Sequence, residues 1–293
     1  MELRIGTRES RLAVAQAELV GEALKAAHPG LRVALVAMKT TGDRILDRPL
    51  DLIGGKGLFV RELDAALRAG RADLAVHSCK DLPMELPEDL PLAALTRRED
   101  PRDALVLPRG AKTLSGPIGC SSLRRKLQLR ELLPGVEVVP IRGNVLTRLQ
   151  KLDKGEYGAL VLAAAGLKRL GLEDRICRYF SPEELLPAAG QGILAVQCRR
   201  DMDLSLLAPL RDREAEACAL AERAFVRALV GGCSSPAAAY AQISDGVLTV
   251  TGLLADSLEN LHQASARGPA DRGEALARTL AEEMKERAQW RAR

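Results

Sequence analysis

The chain has 293 residues, of which 47% are hydrophobic and 28% are charged. This length and composition are typical of two or three globular domains and exclude a disordered or fibrous protein. No apolar run approaches the roughly 18 residues of a membrane span, and the N-terminus MELRIGTRES lacks the apolar stretch of a signal peptide. We therefore expect a cytoplasmic protein without a membrane partner.

The net charge of +4 does not by itself indicate a nucleic-acid-binding protein. Residues 117–150 nevertheless contain six basic and two acidic side chains and no aromatic one. Single-strand binders stack bases on aromatic rings, so a small polyanion is the predicted ligand and nucleic acid the weaker alternative. The six cysteines form no CxxC pair and the three histidines are isolated, which disfavours metal sites and disulfide frameworks.

Predicted strands alternate with amphipathic helices in the N-terminal part, which is typical of βαβ units on a mostly parallel sheet. Ser10 is the candidate N-cap of a helix that runs to about Ala27. The predicted strands are 3–6, 33–38, 73–77 and 92–96, with a second helix around 58–67. A glycine-rich loop at 40–57 precedes that second helix.

A charged stretch at 97–102 interrupts this alternation and predicts a domain boundary. Strands then follow at 104–107, 118–120, 136–141 and 159–163, with helices after Ser121 or Ser122 and after Asn144. A strand at 193–197 is predicted to return the chain to the first domain. From about Arg213 the pattern changes to a long helix, a hairpin around Ser244-Asp245-Gly246 and a final helix at 274–290.

These elements predict two α/β domains joined by a two-segment hinge, followed by a small α+β domain. Domain 1 comprises residues 1–98 and 193–211, domain 2 residues 99–192, and domain 3 residues 212–293.

Basic side chains recur where predicted strands turn into helices. They and the polar residues beside them are Arg8 and Ser10, then Ser121, Ser122, Arg124 and Arg125, then Arg142 and Arg148. In an open parallel sheet such turns lie at the carboxyl ends of the strands, where ligands bind, and helix N-termini favour anions. We predict that these arginines face one cleft and bind a molecule with several carboxylates; a solvated basic face is the alternative.

Lys80 and Asp81 directly follow a predicted strand and so reach the same sheet edge. Asp81 is the candidate general acid and base, because a carboxylate in a closed cleft can pass a proton to a leaving amine and stabilise the remaining cation. A surface ion pair between the two residues is an equally good interpretation. A Schiff-base role for Lys80 is a weaker one.

Two loops carry further candidate residues. The segment 54–57 is not a Walker A loop, because Gly57 stands where Ser or Thr follows the lysine; its glycines favour a mobile lid. Cys233 follows Gly231-Gly232 on an irregular loop. Most lone cysteines are packing residues, and a reactive thiol is the alternative there.

The chain closely resembles the porphobilinogen deaminase (hydroxymethylbilane synthase) family over nearly its whole length. The resemblance lies in GTRESRLA, GGKGLFVREL, AVHSCKDLP, REDPRDA, SSLRRKLQL, RGNVLTRLQKLDKGEY, AGLKRLGL, LPAAGQGILAVQCR and GGCSSP. It implies two domains like those of type II periplasmic binding proteins and a third that carries a dipyrromethane cofactor, bound to Cys233 by a thioether. It also implies a monomeric transferase of haem and tetrapyrrole biosynthesis.

Members of this family join four porphobilinogen molecules head to tail on the dipyrromethane primer, release ammonia at each addition, and hydrolyse off hydroxymethylbilane. By resemblance, Asp81 serves the proton steps. The implied carboxylate-binding residues are Arg8, Ser10, Lys80, Ser121, Ser122, Arg124, Arg125, Arg142, Arg148 and Arg169. Lys56 and Phe59 belong to the lid, and Gln191 lies at the hinge.

Three places depart from the family pattern. Leu52 stands in the lid where some bacterial relatives carry Lys, and Cys79 replaces a more usual Met or Leu. Ser234-Ser235 follows Cys233 where other side chains often stand. A cysteine beside the active site predicts an oxidation-sensitive enzyme, although the strand signals around Cys79 and Cys120 also favour packing in the core. A non-catalytic anion-binding protein on the same two-lobed scaffold is the main alternative, but it assigns no purpose to Cys233.

Overall fold

The computed structural model describes residues 2–44, 60–229 and 236–288. The strands are β1 (Glu2–Arg8), β2 (Arg32–Met38), β3 (Leu74–Ser78), β4 (Leu92–Leu95), β5 (Asp103–Val106), β6 (Ile118–Gly119), β7 (Val138–Val139), β8 (Ala159–Ala163), β9 (Arg178–Phe180), β10 (Leu194–Cys198), β11 (Ala237–Ser244), β12 (Val247–Ala255) and β13 (Leu261–Pro269). The α-helices are α1 (Arg11–Ala27), α2 (Thr41–Arg44), α3 (Arg61–Arg68), α4 (Leu123–Leu132), α5 (Val145–Asp153), α6 (Ala164–Arg169), α7 (Arg213–Ala228) and α8 (Gly273–Arg287). Short 3₁₀ helices cover Cys79–Asp81, Glu173–Arg175, Leu204–Leu210 and Ala270–Arg272.

Two five-stranded sheets share one topology. The first has the order β2-β1-β3-β10-β4 and the second β7-β6-β8-β5-β9. The three strands at the start of each order are parallel, whereas β10 and β5 run antiparallel to both of their neighbours. The sheets are therefore mixed, because the antiparallel strand in each is the first strand after the chain crosses from the other sheet. Residues 96–102 and 181–193 are these two crossing segments.

The third sheet is an antiparallel meander of β11, β12 and β13. Helices α7 and α8 cover it, and Phe225, Leu248 and Leu280 belong to the apolar core between them. The turn between β11 and β12 has positive φ at Asp245 (52°) and Gly246 (73°), as a tight hairpin with a right-handed twist requires. The predicted hairpin and small α+β unit are confirmed.

Local side-chain caps explain where the helices begin. Ser10 Oγ accepts a hydrogen bond from the Ala13 amide at 3.3 Å, and Ser122 Oγ accepts one from the Arg125 amide at 3.4 Å. Each cap satisfies a backbone donor that the helix itself leaves unpaired. Ser122, rather than Ser121, is therefore the N-cap of α4.

Several elements were not expected from the sequence. Strand β9 is very short, and β13 carries small and polar residues that give little strand signal. The strand expected at 136–141 is reduced to Val138–Val139. The predicted return of the chain to the first sheet is confirmed by β10, while the exact domain boundaries stay predictions. Within the described residues, no helix is both long and apolar enough to cross a membrane.

Candidate active site

The predicted acid and one predicted arginine meet at the edge of the first sheet. Arg8 ends β1, and Asp81 ends the 3₁₀ turn that follows β3. Together with Gln16, His77 and Ser78 they line a small pocket in which Asp81 is exposed. Gln16 Nε2 donates to Ser78 Oγ at 3.0 Å and so fixes the pocket wall. A ligand bound over this pocket can therefore reach the exposed Asp81 carboxylate.

His77 contributes a neutral imidazole to the same pocket. Its side chain is 7% exposed, and within the described part of the chain its Nε2 has no hydrogen-bond partner. Burial, assisted by the charge of Arg8, lowers the pKa of His77 to about 4. The ring is therefore uncharged at neutral pH. Sequence reasoning assigned no role to His77, although the residue lies in the AVHSCKDLP segment, because its burial is not visible in the sequence.

Asp103 is a second residue that sequence reasoning missed. It begins β5, is fully buried, and accepts hydrogen bonds from Arg124 Nη2 at 2.8 Å and Arg125 Nη2 at 2.7 Å. Burial alone raises the pKa of Asp103, but the charges of Arg124 and Arg125 outweigh burial and hold this pKa well below its usual range. Its carboxylate is therefore a permanent negative charge between two buried guanidinium groups.

Arg124 and Arg125 are buried behind that carboxylate. Their exposures are 6% and 8%, and each also donates to a backbone carbonyl, Arg124 to Leu186 at 2.6 Å and Arg125 to Val161 at 3.2 Å. Their contact with Asp103 is thus part of the fold, and direct binding of a ligand by either arginine stays a prediction.

Gln191 connects the two sheets at the second crossing segment. It is fully buried, and its Nε2 donates to Asp103 Oδ1 at 2.8 Å and to the Pro101 carbonyl at 2.6 Å. Its Oε1 accepts a hydrogen bond from Lys80 Nζ at 3.2 Å. Burial, together with the charge of Arg125, lowers the pKa of Lys80 to about 8. The predicted hinge glutamine therefore contacts groups of both α/β units.

The remaining predicted arginines extend the positive region of the second unit. Arg148 Nε donates to the Gly143 carbonyl at 2.8 Å, and burial next to Arg125 and Arg142 lowers its pKa, an effect that the charge of Asp81 opposes. Arg148 therefore lies within electrostatic range of Asp81, across from the first unit.

Two predicted residues are held by backbone groups. Arg169 Nη2 donates to the Gly192 carbonyl at 2.6 Å, and burial lowers its pKa to about 10. Ser121 Oγ accepts from the Ile141 amide at 3.1 Å and also bonds the Ile141 carbonyl.

Helix α7 of the third unit is tied to the same region. Glu222 is fully buried and accepts hydrogen bonds, each 2.7 Å long, from Arg98 Nη2 and from the amides of Gly190 and Ala241. Arg223 Nη2 donates to the Pro83 carbonyl at 2.5 Å, shortly after Asp81 in the chain. The loop with Cys233 follows this anchored helix, but Cys233, Lys56, Phe59 and Leu52 themselves lie outside the described residues.

Cys79 is buried, whereas a thiol that is sensitive to oxidation must be accessible to solvent. Its side chain is 0% exposed, and burial raises the pKa of its thiol to about 11. A Cβ atom on Gly190 would lie 2.6 Å from Cys79 Sγ, so the thiol packs tightly against the crossing segment. The structure supports the packing role expected for Cys79 and Cys120, which is also buried, and argues against a reactive thiol at Cys79.

The arrangement combines an exposed carboxylate with several buried or half-buried cations from both units. It can hold a molecule with many carboxylates and transfer protons beside it. Across the described ranges, no group of His, Cys, Asp and Glu side chains could hold a metal ion.

Comparisons with known proteins agree with this chemistry. Residues 3–206 match the family model "Porphobilinogen deaminase, dipyromethane cofactor binding domain", and residues 216–286 match "Porphobilinogen deaminase, C-terminal domain". A curated porphobilinogen deaminase of Acetivibrio thermocellus is 54% identical over 97% of this chain and 98% of its own length. Those of Alkaliphilus oremlandii and Chromobacterium violaceum are 55% and 53% identical, covering 97% and 96% of this chain and 97% and 93% of their own lengths.

Solved structures of two binding proteins are also similar to this chain. The periplasmic aliphatic sulphonate binding protein SsuA from Escherichia coli has a TM-score of 0.39 at 16% identity and covers 68% of this chain and 61% of its own. The methionine binding protein MetQ has a TM-score of 0.43 at 14% identity and covers 71% of this chain and 88% of its own. From the family models and the curated relatives, the chain belongs to the porphobilinogen deaminase family.

Proposed function

We propose that this chain is a hydroxymethylbilane synthase that joins four porphobilinogen molecules head to tail and releases ammonia at each addition. The observation that carries the proposal is the exposed Asp81 carboxylate in a pocket with Arg8, within electrostatic range of Arg148. Porphobilinogen carries an aminomethyl group and two carboxylates, so it requires a proton donor and cations in one site.

The residues present fit a dipyrromethane cofactor. Burial beside like charges lowers the pKa of Arg148, which means that a carboxylate bound there would relieve repulsion between buried cations. We propose that Cys233 carries the cofactor and that Arg142, Arg148 and Lys80 hold its carboxylates. When bound, the cofactor supplies the free pyrrole α-carbon to which the first substrate is joined.

Asp81 performs the proton transfers in this proposal. Its carboxyl group donates a proton to the leaving amine, and the resulting carboxylate stabilises the cation that forms on the substrate as ammonia departs. The neutral ring of His77 adds no positive charge beside that cation. Arg8 and Lys80 bind substrate carboxylates and so orient the reacting carbon toward Asp81.

Further parts of the proposal concern cellular context and assembly. We propose that the enzyme acts as a cytoplasmic monomer on a small-molecule substrate, without a nucleic-acid or membrane partner. Lys56 and Phe59 are assigned to a lid over the pocket. The modest net charge of +4 and the low aromatic content support the exclusion of nucleic acid.

The intact mass of the freshly purified protein, followed by mapping of the peptide that contains Cys233, tests the cofactor. An excess equal to two linked pyrrole units on that peptide is expected. A bare mass, with no mass gain and no ammonia after incubation with porphobilinogen, would instead favour the anion-binding protein.

The role of Asp81 is tested by the variant Asp81→Asn. Glu88→Gln is the matched control, because it also removes one exposed carboxylate from the same segment. We expect Asp81→Asn to keep the mass excess and to lower turnover by at least about 100-fold, while Glu88→Gln keeps wild-type turnover. Unchanged turnover in Asp81→Asn would remove Asp81 from the mechanism.

A further inference from the structure

Asp103 lies where the two α/β units meet. It begins β5 directly after the crossing segment 96–102. Its Oδ2 accepts from Arg124, and its Oδ1 accepts from both Arg125 and Gln191 at 2.7 and 2.8 Å. One fully buried carboxylate thus contacts two cations of the second unit and the glutamine of the other crossing segment.

The orientation of the Gln191 amide follows from these contacts. Its Nε2 has two acceptors, the Asp103 carboxylate and the Pro101 carbonyl. Because both amide hydrogens point toward these acceptors, Oε1 must point the opposite way, toward Lys80 Nζ at 3.2 Å. Asp103 therefore determines which end of the amide meets the Lys80 ammonium.

Charged groups of both signs face Lys80. The charges that act most strongly on Lys80 belong to Arg124 and Arg125 from α4, Asp81 from the same 3₁₀ turn, and Asp103 from β5. The arginines disfavour the ammonium form, whereas the two carboxylates favour it. Without the charge of Asp103, three cations would be opposed by Asp81 alone, and Asp81 is exposed to solvent.

We propose that Asp103 is a positioning residue for carboxylate binding: it holds Arg124 and Arg125 in place and, through Gln191, keeps Lys80 protonated and directed to the cleft. The catalytic consequence rests on the proposed function, since it concerns the carboxylates of pyrrole substrates. Asp103 itself touches no substrate.

The direct test is the protonation of Lys80, measured by competitive acetylation with acetic anhydride on the full-length purified protein. Acetylation requires the neutral amine, so the modified fraction of the Lys80 peptide, quantified by mass spectrometry between about pH 6 and 10, gives its midpoint. We expect Asp103→Asn to lower this midpoint by about one pH unit, the lower end of the effect of a nearby opposite charge.

Asp153→Asn is the matched control. Asp153 also forms a two-bond pair with a buried arginine of the second unit, Arg175, at 2.7 and 3.1 Å. It is not among the charges that act most strongly on Lys80. We expect Asp153→Asn to leave the Lys80 midpoint and the turnover unchanged.

Kinetics provide the second measurement. In Asp103→Asn the alkaline limb of kcat/KM for porphobilinogen should move to lower pH by the same amount as the acetylation midpoint. A KM increase that is larger than the fall in kcat is expected near pH 8, because the residue acts on binding and not on proton transfer. A purely structural role for Asp103 would lower activity equally at every pH.

A folded Asp103→Asn protein with an unchanged Lys80 midpoint would overturn the proposal. If that variant does not fold, Gln191→Leu takes its place: it removes the hydrogen bond to the charged ammonium and should lower the midpoint by a smaller amount. An unchanged midpoint there would also overturn the proposal. Acetylation needs no turnover, so the two proposals can fail separately. A shifted midpoint in a protein that carries no adduct on Cys233, and that neither gains mass nor releases ammonia with porphobilinogen, would refute the proposed function and leave the role of Asp103 standing.

Discussion

Replacing Arg98 with methionine should strongly destabilise the protein, because it leaves the Glu222 carboxylate buried without its cation. Glu222 is 0% exposed and the Arg98 side chain 13% exposed, with 2.7 Å between Arg98 Nη2 and Glu222 Oε1. Breaking a buried pair from one side generally costs about 3–5 kcal/mol. Glu222 keeps two backbone donors, at Gly190 and Ala241, so we expect the lower part of that range.

The assay is urea unfolding followed by circular dichroism, with Arg68→Met as the control. Arg68 makes a two-bond pair with Asp89, but these side chains are 48% and 56% exposed. Exposed ion pairs contribute about 0–1 kcal/mol to the free energy of unfolding, so Arg68→Met should lose no more than that. The comparison therefore separates the effect of burial from the effect of good geometry.

The pH dependence gives an independent check. Burial already raises the pKa of Glu222 despite its partners, and removal of Arg98 raises it further. A raised carboxyl pKa means that the folded state binds the proton more tightly. The loss of unfolding free energy in Arg98→Met, relative to the wild type, should therefore shrink as the pH falls toward 5 and grow as it rises toward 8. A deficit below about 1 kcal/mol, or one that does not change with pH, would refute the reasoning.

Three further predictions concern single buried positions. Gly190→Ala should lower the free energy of unfolding, measured in urea, by about 2–5 kcal/mol, because a left-handed φ of 75° adds to a clash with Cys79. The control Gly171→Ala, at φ 66° with open space around it, should lower it by only about 1–2 kcal/mol. Cys79→Ala should inactivate in peroxide at the wild-type rate, and a slower rate would show that the buried thiol is reached. Because the pKa of His77 falls from 6.5 to about 4 on burial, the folded state should lose up to about 3 kcal/mol as the pH drops from 6.5 to 4, a loss absent from His77→Gln in the same titration.

Sequence patterning predicted most of the elements because their signals are local. The short apolar runs that predict β1 and β3, and the caps Ser10, Ser122 and Asn144, depend on neighbours a few residues away. Antiparallel β10 could be placed back in the first sheet, but not between β3 and β4, because strand order depends on contacts across more than a hundred residues of chain.

In the candidate site, too, local sequence signals predicted some residues, whereas others depend on contacts between distant segments. Asp81 and Arg8 could be placed at one sheet edge from their positions after strands. Asp103, Glu222 and Arg98 could not be singled out, because a buried charge looks like a surface charge until its partners from distant segments are known. For Arg124, the sequence predicts ligand contact, which stays a prediction, but it did not indicate the buried ion pair with Asp103.

The insertion of one α/β unit inside the other affects the order in which the chain can fold during synthesis. The second sheet has all its strands once residue 180 has emerged, whereas the first sheet lacks its inner strand β10 until residue 198 has been made. Until then, the strand that pairs with both β3 and β4 is missing. On the ribosome, the unit that begins first is therefore completed second. The edge of β3 that faces away from β1, and strand β4, remain exposed to incorrect pairing throughout the synthesis of the second unit.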